Sequence, residues 1–158
     1  MMYPKPLVGV SGWLACFIIA LCVLGPFQAI SNTMMEFQAL ESAHAGASAL
    51  DSWQNYKLGA WILIGFSVAL RLVAGILLTS VHKPFSVHFT IAVLWITPVV
   101  TAIGTYVLIN LFFGSFAASD SQEGVIYELI VGLTIATVWT AYLLKSVRVK
   151  NTYYGYRP

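Results

Sequence analysis

The chain is predicted to be an all-α integral membrane protein, a four-helix bundle with both termini on the cytoplasmic side. Three observations predict it. Hydrophobic residues make up 59% of the sequence and charged residues only 9%, against about 25% charged in soluble domains. The apolar residues gather in four runs, about 9–30, 58–79, 87–113 and 124–144, each near the ~20 residues needed to cross a ~30 Å hydrocarbon layer as a helix. The charges sort by connection. Lys5, Lys83 and the tail bases Lys145, Arg148, Lys150 and Arg157 alternate with two acidic loops, so the positive-inside rule places both ends and the basic loop inside. The 158 residues form one transmembrane domain. A formal charge of +2 is too small to suggest a nucleic-acid partner.

The first run, about 9–30, follows a short entry with Lys5 between Pro4 and Pro6. A basic start and the small-x-small Ala29-Ile30-Ser31 imitate a signal peptide, but the apolar stretch exceeds the 7–15 residues of a signal core. It is read as a retained helix, with Pro26 tilting or ending its last turn. Cys16 and Cys22 lie six residues apart, roughly 240° around a helix, which excludes a mutual disulfide and reads as two small apolar side chains.

The connection 31–57 carries Glu36, Glu41 and Asp51 against the single base Lys57. Met34, Phe37, Leu40, Ala47 and Leu50 recur near helical spacing. A short amphipathic helix on the membrane surface and a loop with weak helical bias both fit this pattern. Trp53, Tyr56 and Trp61 mark an interface where the second run enters.

The second run, 58–79, holds one charge, Arg71, with no acid in the same segment. A charge there is costly unless it is satisfied or used. Arg71 is ~20 Å below the outer end and Glu128 only ~6 Å, at 1.5 Å per residue, so the two do not pair. The expected company of Arg71 is Trp95, Thr97 and Thr137, by stacking or hydrogen bonding. Anchoring and binding roles both stay open.

His82, Lys83 and Pro84 make a tight inner turn. The third run, 87–113, contains Pro98, which removes a backbone hydrogen bond and predicts a kink. A second acidic turn spans Gly114 to Glu123, and the fourth run leads into the basic tail 145–158. Asn110 and Glu128 fall at similar depth near the outer face and make a candidate proton or ligand site. His44, His82 and His88 do not group, and no phosphate loop, nucleophile elbow or zinc-protease helix occurs. No cofactor or metal is implied. Gly12, Gly65, Gly75, Gly104 and Gly132 suit close helix packing.

Two segments carry a family resemblance. Ser11-Gly12-Trp13-Leu14 with Gly25-Pro26, and the tail Ser146-Val147-Arg148-Val149-Lys150-Asn151-Thr152-Tyr153, resemble the YdgK-like family of small bacterial inner-membrane proteins, a domain of unknown function. Serine stands at position 11 where the family pattern has glycine. The resemblance implies four helices in a bacterial cytoplasmic membrane and no established activity. The ordered basic tail is more than topology requires. Trp13, Arg148, Lys150, Asn151 and Thr152 are therefore the candidate interaction residues, for anionic headgroups, a protein partner or a second copy. The expected function is a non-enzymatic accessory or scaffolding subunit docking through its cytoplasmic face. The alternative is a small oligomeric transporter or channel using Arg71, Asn110 and Glu128.

Overall fold

The structure, a computed structural model, describes residues 9–43 and 50–155, the side chains of 43 and 114–122 excepted. Among the described residues, four helical stretches are long and apolar enough to cross a membrane: Trp13–Ser42, Asp51–Ser80, Pro84–Phe113 and Glu123–Lys145. These are the first to fourth spans. No strand occurs among the described residues.

The first span is longer than the apolar run that predicts it. It consists of α1 (Trp13–Ile19), a π-helical turn (Ala20–Leu24) and α2 (Gly25–Ala43). Pro26 does not end it. The wide turn directly before the proline, closed by the Gly25 N–H on the Ala20 carbonyl, already displaces the carbonyls that the ring would meet. The apolar positions of 31–43 then continue as a helix standing along the bundle, not as a separate helix on the membrane surface. Phe37 explains why, because it is buried among Trp53, Tyr56 and Trp61 at ring separations of 5.6, 6.2 and 6.1 Å. This aromatic packing outweighs the polar composition of the segment. His44 and Ala47 lie outside the described residues, as do Lys5 and Arg157.

The second span, α3 (Asp51–Ser80), begins seven residues before the predicted boundary at 58. Trp53, expected at an interface, is buried against Phe37 and Phe113. Helical backbone then runs unbroken through α4 (Pro84–Lys145), 62 residues. It is not one rod. The Trp95 indole donates to the Thr140 hydroxyl at 3.1 Å, although the two are 45 residues apart. A straight helix would hold them ~68 Å apart. The chain therefore reverses between Phe113 and Glu123, and the expected acidic turn is this reversal, made with helical backbone.

Small residues set the spacing between spans, as in other membrane bundles. A Cβ at Gly75 would stand 2.0 Å from the Cys22 sulfur, and one at Gly132 would stand 2.6 Å from the Pro98 ring. Gly59 and Gly104 receive Leu108 and Leu63 in the same way. Hydroxyls inside the spans mostly bond back to their own helix, as Thr90, Thr97, Thr134 and Thr137 do four residues back. The buried core gathers at the end carrying both termini. Leu14, Phe17, Leu21, Ala74, Leu78, Val87, Val93 and Leu143 join there with Val149 and Tyr153 of α5 (Val147–Tyr153).

Candidate functional site

The segment 11–14 and the tail 146–153, which carry the resemblance with Gly25-Pro26, meet at that end. Lys145 closes the fourth span, and Ser146, with ψ 122°, breaks the helix and turns the chain. Its hydroxyl accepts from the Val149 N–H at 3.5 Å, starting the short helix α5. Val149 and Tyr153 fall four positions apart, so they share one face of that helix. Both are buried beneath it, Tyr153 to 2% exposure.

Tyr153 performs two tasks. Its ring fills the space under His82, stacked at 5.9 Å with planes 21° apart. Its hydroxyl donates to the Leu78 carbonyl at 2.5 Å. Leu78 lies in the last turn of the second span, where helix carbonyls have no partner of their own. Burial, with the Tyr142 phenol nearby, pushes the Tyr153 hydroxyl up to about 12.

The amino-terminal segment is clasped by the same tail. Gly12, at φ 59°, sits in the left-handed region that only glycine adopts freely, and turns the chain into α1. The Arg148 guanidinium lies over it, 3.8 Å from where a Cβ would stand, and donates to the Ser11 hydroxyl. Serine at position 11 thus supplies an acceptor that glycine would lack. The Gly9 N–H donates to the Thr152 hydroxyl at 3.0 Å. Phe17 packs on Trp139 with ring centroids 4.5 Å apart.

This geometry divides the five tail and entry candidates. Arg148 and Thr152 are spent inside the molecule, tying the first span to the tail. Trp13 points away at 73% exposure, and Lys150 is exposed. Lys150 and Asn151 line a groove of about 550 Å³ with Leu143, Leu144, Tyr154 and Gly155.

The intramembrane candidates do not converge. Arg71 keeps different company from that expected. Trp95 is bonded to Thr140, and Thr97 and Thr137 are bonded to their own backbones. The guanidinium instead lies along the first span at Gly25, where a Cβ would stand 2.7 Å from its Nη1. The absence of a side chain at Gly25 is what admits it, a feature that depth arithmetic along separate helices does not register. Among the described residues, the one ion pair is Lys57–Glu41 at 2.9 Å, so Arg71 has no carboxylate there. The Asn110 amide donates to the Tyr106 carbonyl of its own helix at 2.8 Å, not to Glu128.

Glu128 lies within electrostatic range of Glu36, a residue of the connection 31–57. The Glu128 charge reaches Glu36 and Tyr56, and the Glu36 charge reaches Tyr56, so residues of the first, second and fourth spans lie within electrostatic range of one another. Glu36 was missed because the first helix was ended at about residue 30. The signal available was its position directly before Phe37 in the helical pattern. Beside this group, Glu41 accepts from the Trp53 indole at 2.7 Å and from Lys57 at 2.9 Å.

Four membrane-crossing helices closed at one end by a folded-back tail define a multi-pass membrane helical bundle. Residues 7–154 match the family described as a protein of unknown function, DUF2569, and the chain belongs to that family. No curated protein and no solved structure matches it significantly.

Proposed function

We propose that the protein is a non-enzymatic accessory subunit of a bacterial inner membrane, on the YdgK-like side of its family. Both termini lie in the cytoplasm, and it docks on a larger membrane complex through the face built by the clasp. The distribution of charge supports this orientation. Among the described side chains, the acids Glu36, Glu41, Asp51, Glu123 and Glu128 all belong to the end opposite the termini, and Lys83, Lys145, Arg148 and Lys150 belong to the terminal end or its inner turn. The observation that carries the docking role is Trp13. A large aromatic side chain is left 73% exposed while Gly12, Ser11 and Arg148 fix the backbone beside it. A rigidly presented exposed aromatic is the kind of residue that anchors protein interfaces.

A photo-crosslinking residue at position 13, in native membranes, is expected to give one discrete adduct of higher mass. The same group at Ile62, which is 63% exposed on the second span, serves as the lipid-facing control. Adducts equally diffuse at both positions would refute docking through Trp13.

A second reading, a small oligomeric transporter or channel, is favoured by a Glu128 charge that reaches Glu36 and Tyr56 and by an Arg71 lacking a carboxylate among the described residues. On this reading, purified protein in liposomes carries a proton or cation flux that Glu128→Gln lowers at least tenfold. Liposomes with no flux above the protein-free background would eliminate it.

A further inference from the structure

We propose that the groove between the last turn of the fourth span and α5 is a binding site for one anionic phospholipid. The site goes beyond the accessory role and requires no partner protein. Its walls have the two chemistries of such a lipid. Leu143 and Leu144 come from the last turn of a membrane-crossing helix, at the level where acyl chains begin. Lys150, Asn151 and Tyr154 come from the segment just beyond Lys145, at the level of headgroups. A groove of about 550 Å³ accommodates a headgroup with the first part of its chains.

Charge selects the occupant. The described side chains of this end include Lys83, Lys145, Arg148 and Lys150 and no acid. Arg148 is turned inward onto Ser11, which leaves Lys150 as the cation in the groove wall. The wall is also held in place. Val149 and Tyr153 are buried on either side of Lys150 in the sequence. The Tyr154 ring meets the His88 ring edge-on at 6.3 Å. The lipid phosphate sits at the Lys150 ammonium, and its chains descend along Leu144.

The test is native mass spectrometry of the full chain in mild detergent, titrated with phosphatidylglycerol or phosphatidylcholine of identical acyl chains. The wild type is expected to bind one phosphatidylglycerol about fivefold more tightly, as one basic residue near an anionic group provides. Lys150→Gln is expected to abolish that preference. Lys145→Gln removes the same charge from outside the groove and is expected to retain it. Equal losses in the two variants would show a diffuse surface charge and overturn the site. Displacement of phosphatidylglycerol by inorganic phosphate alone would show a phosphate site, not a lipid site, and would overturn it as well.

Discussion

Tyr153→Ala is expected to release the tail and the amino-terminal segment together. Removing a buried aromatic side chain costs about 3–5 kcal/mol, and here it also strips a partner from the Leu78 carbonyl and the support from under His82. Hydrogen exchange should show loss of protection over residues 147–155 and at Gly9, whose N–H depends on Thr152, while the middle of the spans stays protected. Tyr153→Phe keeps the ring and removes only the hydroxyl, so its effect should be near 1 kcal/mol.

The same residue makes the clasp sensitive to alkali. Its hydroxyl titrates at about 12 in the folded protein, against about 10 for an ordinary tyrosine. The folded state therefore holds the proton where the unfolded tail would lose it. Its contribution is complete below about pH 10 and is lost as the pH rises toward 12. Tail protection measured from pH 9 upward should fall in that window in the wild type and not in Tyr153→Phe. A decline identical in both proteins would assign the sensitivity elsewhere.

Gly75→Ala should be the most damaging small substitution within the described spans. Its Cβ would stand 2.0 Å from the Cys22 sulfur, and that sulfur is one bond from its own Cβ and can leave only by changing rotamer. It also points at the Arg71 carbonyl, 3.9 Å away. Overpacking of this kind costs about 1–3 kcal/mol, and the first and second spans must separate to relieve it. Removing the sulfur should rescue the bundle. In Cys22→Ala the next side-chain atom is the Cβ, at 3.8 Å, an ordinary contact. The double variant should therefore recover most of the loss in a denaturant titration in bicelles, a coupling that additive effects would not produce. Gly104→Ala is the control, since its Cβ meets the end of the flexible Leu63 side chain at 2.6 Å. Equal losses at positions 75 and 104 would contradict this account.

These two sites show what was legible in advance. Gly75, Gly104 and Gly132 were recognisable as packing positions, but their individual partners were not, and Gly65, expected to be another, has nothing within 4 Å of where its Cβ would stand. Whether a close contact yields depends on which atom faces it, and Cys22 and Leu63 differ in that respect without any trace in the local sequence. Trp13 and the ordered tail were legible as a pair of unusual segments on one face. Their contacts with each other were not legible, because a run of exposed-looking polar residues says nothing about whether they bind a partner or each other. Arg148 and Thr152 serve the fold, and Lys150 was left to the groove.

The boundaries tell the same story. Pro26 and the acids at 36 and 41 gave every local reason to stop the first helix, yet the π-helical turn and the aromatic cluster around Phe37 carry it to Ala43. The four spans, their approximate lengths and the separation of acids from bases were determined by the sequence by itself, because crossing an apolar layer constrains length and polarity residue by residue. What only the tertiary structure decided was which side chains meet: Arg71 at Gly25, Phe37 among Trp53, Tyr56 and Trp61, Tyr153 on Leu78. Those pairings depend on helix rotation and depth, and both are set by how small residues in one span admit the side chains of another.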